Sequence, residues 1–336
     1  MSSNQGNIIS ELNKKIAYSH PVYRIRILET HISWILLTGL YAYKIKKEVK
    51  FGNILDFSNL FLRKKFCLKE IALNRPHCGD IYQSVVKIVK ENNSFRFVDL
   101  KEKGKSLEYA VKMIEIPQKF RMDNLLKEGR VNKKIINSLT EVIIKFHKNA
   151  PTNNKISKYG RPLTMKRKFD ENFKTLSKLG KIDSRIIECK LISFLENNDA
   201  LFYERMRESK IRDIHGDLYL KNIFVIDNKF YLYDRIEFND SLRYADIVED
   251  VAHLSMDLDF HERSDLSTHF ISSYIKKSND KNMTRLVYFM MCYKACVRAK
   301  VSLFRAQEVK DTDEKIIHTN EAKKLLKLAS SYIKLF

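Results

Sequence analysis

The chain is poor in the residues that punctuate or staple small folds, with 9 glycines, 5 prolines and 5 cysteines in 336 residues. Cys67, Cys78, Cys189, Cys292 and Cys296 contain no Cys-x-x-Cys pair, and an odd count in so long a chain argues against a disulfide framework. Cys292 and Cys296 are four apart in a helical pattern, but no histidine or third cysteine completes a zinc set, so both read as packed thiols. The Gly-x-x-x-x-Gly-Lys-Ser/Thr signature of a P-loop is absent, and so is Gly-x-Gly-x-x-Gly. No apolar run is long enough to cross a bilayer. The nearest, Ile32 to Tyr43, is interrupted by Ser33, Thr38 and Gly39, and the N-terminus lacks the apolar core of a secretory signal. A soluble cytoplasmic protein with no membrane role is expected. Internal repeats and low-complexity tracts are also missing.

Acidic residues are scarce: 41 Asp and Glu stand against 62 Lys and Arg, a net charge of +21. A field of that size attracts nucleotides, nucleic acids and anionic surfaces. The basic residues are scattered through helices and turns rather than gathered into an aromatic-interleaved stripe, so they read as solvated surface and nucleic-acid binding is not expected. With 44% hydrophobic residues, the chain can bury a large core and is long enough for two lobes.

Against these absences, residues 214–234 are dense in chemistry: I-H-G-D-L-Y-L-K-N-I-F-V-I-D-N-K-F-Y-L-Y-D. Two short apolar runs, Ile223 to Ile226 and Phe230 to Tyr233, flank the turn residues Asp227, Asn228 and Lys229, which predicts a hairpin. His215-x-Asp217, with Asn222 five residues after the aspartate, puts a carboxylate and an amide on the loop before the hairpin. Asp234 follows its second strand. Phosphoryl transfer from a nucleotide needs such a set: one carboxylate to take the acceptor's hydroxyl proton, and an amide with a second carboxylate to hold Mg²⁺. An Asx-rich loop that only satisfies local backbone groups would read the same way from spacing alone.

The block H-G-D-L-Y-L-K-N, with Y-D-R-I-E-F-N-D and R-Y-A-D-I-V-E-D-V-A-H-L-S-M-D-L after it, resembles the aminoglycoside phosphotransferase-like kinases of the protein-kinase-like superfamily. E-T-H-I-S-W-I-L-L-T-G-L-Y-A-Y-K-I-K-K resembles the same uncharacterised bacterial branch, and the likeness extends over residues 19–305. The resemblance implies an α+β, two-lobed protein-kinase-like fold. A small sheet with one helix would form an N-lobe over residues 1–116, and a mainly helical C-lobe would follow over 117–336, with ATP in the cleft between them. Members of this branch often carry a P-loop ATPase domain after the kinase-like part. No such motif is present here, so a separate P-loop ATPase partner is an expectation.

Three strands are predicted over 22–28, 32–37 and 40–49, turning at Gly39. In Ala42-Tyr43-Lys44-Ile45-Lys46, alternation puts both lysines on one face. The likeness to the kinase Val-Ala-Ile-Lys strand implies that Lys44 contacts the nucleotide phosphates, with Lys46 as its rival. An exposed basic edge strand is the structural alternative. A helix over 57–73, ended by Asn74-Arg75-Pro76, carries Glu70, which by likeness to kinases would orient the lysine. The turn from Glu29 to Ser33 would cover the phosphates, and Glu115 to Pro117 would form the adenine-binding hinge. Helices over 163–179 and 183–208, around a break at Gly180, would carry acceptor specificity.

Asp217 is thus the expected base, with His215 bracing its loop, and Asn222 and Asp234 are the expected Mg²⁺ ligands. Glu237, Asp246 and Asp250 are expected to touch metal or acceptor or to support the loop. Asp246 and Asp250 are predicted to share a face of one helix over 246–258, and for Asp250 loop support is favoured. Glu237, Asp240, Asp246, Glu249 and Asp257 together could attract a cation, or could be ordinary helix surface. Arg298 and Lys300 could face the cleft, but a solvated basic face is the default reading. Tyr219 and Arg235 stand where close relatives often have His and Cys. Asp234 is followed by Arg-Ile-Glu rather than Phe-Gly, which with the lack of Ala-Pro-Glu points to a small-molecule hydroxyl acceptor rather than a protein. The alternative is a nucleotide-binding pseudokinase or regulatory module without turnover.

Overall fold

The structure is a computed structural model that describes residues 3–92, 94–179, 184–309 and 311–336. The expected break at Gly180 lies outside the described residues. By compactness the chain forms two units. The first comprises Met1–Phe120 with Tyr231–Asn239, and the second Arg121–Phe230 with Asp240–Phe336. Residues 231–239, grouped with the helical lobe in the sequence reading, therefore pack with the first unit.

The first unit opens with α1 (Ser3–Glu11) and the strands β1 (Arg26–Glu29), β2 (Ser33–Leu37), β3 (Tyr41–Lys46), β4 (Lys50–Phe51) and β5 (Leu55–Asp56). Next come α2 (Leu60–Cys78), β6 (Tyr82–Glu91), β7 (Ser94–Asp99) and β8 (Glu108–Ile114). Six strands form one antiparallel sheet in the order β1-β2-β3-β8-β6-β7. The N-terminal strands form as the alternation predicts, each a little shorter. Gly39, at φ 93°, turns β2 into β3 where a side chain would be strained. The sheet buries Trp34, Leu36, Tyr43, Ile45, Ile88, Phe97 and Ala110 with Ile8 and Ile9 of α1 and Leu12 just after it.

Helix α2 departs from expectation at both ends. Asn59, not Phe57, caps it, its side chain accepting from the Leu62 N–H, and the helix runs through Pro76 to Cys78. Pro76 lies in the last turn, where its missing N–H removes a single ladder bond, and Gly79 at φ 52° ends the helix.

The second unit contains α3 (Met122–Lys127), α4 (Lys133–Asn149), α5 (Asn154–Ser157), α6 (Pro162–Leu179), α7 (Arg185–Asn197) and α8 (Asp199–Arg207). The single helix expected over 183–208 is two, divided at Asn198, whose φ of −129° is not helical. The chain continues through β9 (Ile211–Asp213) into the hairpin strands β10 (Ile223–Ile226) and β11 (Lys229–Leu232). Asp227 and Asn228 take φ of 49° and 61°, the paired left-handed conformation that suits a two-residue hairpin turn.

Then follow β12 (Tyr244–Asp246), α9 (Val248–Phe260), α10 (Ser264–Ser278), α11 (Val287–Glu308) and α12 (Thr312–Tyr332). Asp246 is the last residue of a strand paired with β9, not the start of the helix, so it does not share a helical face with Asp250. Its Oδ1 instead accepts the Val248 N–H at 2.9 Å, which opens α9. Helix α9 is buried from Val248 to Leu258 and packs against α10 and α11.

Candidate active site

In the first unit, alternation along β3 sends Lys44 and Lys46 to one face, where Glu70 of α2 meets both. Lys44 Nζ lies 2.9 Å from Glu70 Oε1, and Lys46 Nζ lies 2.8 Å from Glu70 Oε2. Lys44 Nζ also reaches Asp234 Oδ1 at 2.6 Å, and Lys46 contacts Glu237. The choice between the two lysines thus becomes a division: each holds half of Glu70 and one further carboxylate. Glu70, Lys46 and Glu237 are buried, whereas 38% of the Asp234 side chain is exposed. Neither lysine belongs to an exposed basic edge.

Burial opposes charge at Glu70, but Lys44 and Lys46 outweigh it and hold its carboxyl at about 2. Burial likewise opposes the Lys44 ammonium, yet Asp234, Glu70 and Glu237 raise it well above the usual lysine value. At Glu237 burial dominates and pushes the carboxyl up, against Lys46. Asp234 itself sits at φ 62°, a conformation that aspartate tolerates better than most residues. Its N–H donates to the Tyr82 hydroxyl at 3.2 Å, and the next N–H, of Arg235, donates to Asn74 Oδ1 at 2.8 Å.

Two expected nucleotide contacts look different in place. Glu115 Oε2 accepts the Gly39 N–H at 2.7 Å, Oε1 accepts from Arg24, and the Glu115 N–H donates to Leu40, so this residue ties down the β2–β3 turn. In the Glu29-to-Ser33 turn, Thr30 N–H donates to the Ser33 carbonyl and Ser33 N–H to Thr30 Oγ1, so two of the expected phosphate donors are used within the turn.

In the second unit the loop after β9 is held from beneath by Asp250. Its two oxygens accept the His215 and Gly216 N–H groups at 2.8 and 2.9 Å, and Oδ2 lies 3.2 Å from His147 Nε2. Burial opposes this charge, but the hydrogen bond from His147 leads the opposing effects that hold the carboxyl below its usual value. Gly216, at φ 85°, makes the bend. The Asp217 N–H donates to His215 Nδ1 at 3.3 Å. Asn222 Nδ2 donates to the Asp217 carbonyl and to Asp217 Oδ2, at 2.9 and 3.1 Å. Thus Asp217 and Asn222 meet, His215 and Asp250 organise their loop, and 38% of the Asp217 side chain remains exposed.

Asp246 takes a different part. Both its oxygens bind the buried guanidinium of Arg205 at 2.6 and 2.7 Å, and Arg205 also contacts Asp280. Its carboxylate is thus engaged with Arg205, as that of Glu237 is with Lys46. The cation-attracting acidic set does not form either. Glu249 accepts from Lys294 at 2.8 Å, Asp257 accepts the Leu220 N–H at 2.9 Å, and Asp240 pairs with Arg243 at 2.9 Å. Nor is that set helix surface, since Glu237, Asp246, Glu249 and Asp257 are all buried.

Three residues beside Asp217 escaped the sequence reading as site residues. His253 Nδ1 lies 3.8 Å from Asp217 Oδ1, Tyr219 stacks on the His253 ring at 5.4 Å between centroids, and the Arg298 guanidinium lies 4.3 Å from the Tyr219 ring centre. The i, i+4 spacing of Glu249, His253 and Asp257 on α9, and of Lys294 and Arg298 on α11, was the available signal.

Among the described residues no three His, Cys, Asp or Glu side chains form a metal-holding cluster, and no helix is long and apolar enough to cross a membrane. No family model matches the sequence. The structure is similar to a choline kinase from Cryptosporidium parvum Iowa II, at 11% identity and TM-score 0.51, over 93% of this chain and 90% of that one. It is also similar to the GDP complex of wild-type aminoglycoside 2′-phosphotransferase-IIIa, at 12% identity and TM-score 0.50, over 98% of this chain and 99% of that one. The chain has the protein-kinase-like fold, as the sequence over residues 214–234 led one to expect. In sequence it is 31% identical over 309 residues to uncharacterized proteins of Mycobacterium bovis and Mycobacterium tuberculosis. The match covers 90% of this chain but 60% of the relatives' length.

Proposed function

We propose that this protein is an ATP-dependent phosphotransferase that moves the γ-phosphoryl group to a hydroxyl of a small molecule. The observation that carries the reading is the Lys44 ammonium, fixed 2.9 Å from Glu70 and 2.6 Å from Asp234. A phosphate-binding lysine needs a buried carboxylate that sets its position, and Glu70 has that character. Asp234 is the more exposed of its two partners and the one able to exchange an ammonium for a metal. Asn222 spends its amide N–H groups on Asp217, which leaves its oxygen as the atom to offer a cation.

Asp234 in the first unit and Asn222 in the second each offer an oxygen of the kind Mg²⁺ takes, an ion that keeps waters and substrate phosphates among its ligands. When bound, that ion would neutralise charge developing on the transferring phosphoryl group. Asp217, half-exposed and with Oδ2 held by Asn222, takes the acceptor hydroxyl's proton on its carboxylate. Lys44 holds the nucleotide phosphates, and Glu70 keeps Lys44 in place. The nucleotide bound in the phosphotransferase of like fold supports the reading.

The test is ADP release from MgATP across a panel of hydroxyl compounds, in wild type and Asp217→Asn. Removing a general base should slow turnover by about 10²–10⁴-fold. Turnover indifferent to the substitution would remove Asp217 from the role. Tight ATP binding with no turnover on any acceptor would favour a regulatory pseudokinase.

A further inference from the structure

The surroundings of Asp217 in the second unit bear on which hydroxyl compound it serves. Helices α9 and α11 pack together. One face of α9 presents Glu249, His253 and Asp257, a turn apart, and α11 presents Lys294 and Arg298 with the same spacing. Tyr219, two residues after Asp217, stacks on both His253 and Arg298.

The charges along this seam do not cancel. Glu249 serves two ammoniums, Lys294 at 2.8 Å and Lys168 at 3.8 Å. Among the described residues Arg298 makes no ion pair with a carboxylate. Asp257 and Asp217 act on it from further off, Glu321 feels it in turn, and its guanidinium face is occupied by the Tyr219 ring. Lys221, on the loop itself, adds a further ammonium, with Arg298 and Arg305 as basic neighbours. Asp123, one of the carboxylates near Lys221, is already held by Arg121 at 2.5 and 2.9 Å. The neighbourhood thus gathers Lys168, Lys221, Lys294, Arg298 and Arg305 against Glu249, Asp257, Glu321 and Asp217 itself.

His253 reports the same excess. It is buried, neither ring nitrogen has a hydrogen-bond partner, and Nδ1 faces Asp217 across 3.8 Å. Burial, then Lys294 and Arg298, hold its imidazole well below the ordinary value, so it adds no charge of its own. Glu249 and Asp257 are already engaged here, while Arg298 offers an acid a guanidinium with no carboxylate ion-paired to it.

We infer that the acceptor is an anionic hydroxyl compound, bearing a carboxylate or a phosphate, and that Arg298, carried on the Tyr219–His253 stack, is the residue that selects it. The inference rests on the phosphotransfer role of Asp217, but its test separates the two. Thermal unfolding of the full chain is followed with and without low-millimolar sulfate in wild type, Arg298→Gln, Arg298→Lys and Lys44→Met.

Sulfate should raise the midpoint in wild type, Lys44→Met and Arg298→Lys, and not in Arg298→Gln, whose own cooperative unfolding is read in the same run. No rise in wild type, a rise that persists in Arg298→Gln, or one lost in Lys44→Met would each overturn the inference. In parallel, MgATP is offered with glycerate, gluconate and glycerol 3-phosphate, and with choline, ethanolamine and kanamycin. Turnover is expected in the first group, with carboxylates and phosphate told apart by which member reacts. Arg298→Gln should raise KM by about ten- to hundredfold, the worth of one charge-assisted hydrogen bond, with kcat little changed. Turnover confined to the second group overturns the inference. No turnover with the expected sulfate pattern would remove the phosphotransfer reading and leave anion recognition standing.

Discussion

Two clusters of charge, one in each unit, use similar residues to opposite effect. In the first unit Lys44 and Lys46 face Glu70, Asp234 and Glu237, and every ammonium has two carboxylates within ion-pair reach. In the second, Lys168 and Lys294 divide one carboxylate, and Arg298 lies on an aromatic ring without one. Where every ammonium is paired in a largely buried setting the geometry is fixed, because moving any member leaves another unpaired. Unbalanced charge beside a half-exposed carboxylate remains available to something from solution.

The comparison breaks most severely at Glu70. Glu70→Ala leaves two buried ammoniums without their shared partner and should lower stability by about 3–5 kcal/mol, read by denaturant unfolding. Asp250→Ala comes next: it strips the His215 and Gly216 N–H groups of their acceptor and should cost about 1–3 kcal/mol for each group left unsatisfied, with a matching loss of turnover. Acid then sharpens the contrast. The Glu70 carboxyl is held at about 2, below its unfolded value of 4.5, so its stabilisation is complete above the unfolded value and lost as pH falls toward 2. Unfolding midpoints from pH 6 to pH 2 should fall more steeply in wild type than in Glu70→Gln. The smallest effect belongs to the aromatic stack, where Tyr219→Leu should cost about 0.5–1.5 kcal/mol of stability, read by denaturant unfolding.

Much of the fold was legible because its signals are local. Alternation marked β3, and Asp227-Asn228 marked the hairpin turn. The H-x-D-x-x-x-x-N spacing placed Asp217 and Asn222 within hydrogen-bonding distance. Non-local facts were not legible. Asp246 reads as a helix start because Ile247 and Val251 continue the period, yet pairing with Ile211 draws it into a strand and Arg205 claims its carboxylate. Arg298 reads as solvated surface because α11 is basic along its length. Only the arrival of Tyr219, 79 positions earlier in the chain, shows what that guanidinium touches.

The late segment 231–239 has a consequence for biosynthesis. Asp234 and Glu237 neutralise lysines laid down nearly two hundred residues before them. A ribosome that has released only the first 120 residues has made a sheet with its ammoniums undercompensated, and that half cannot settle until the polypeptide has emerged beyond Asn239. Fragments ending at the apparent boundary should therefore be recovered poorly, and recovered better when a peptide spanning 231–239 is supplied in trans.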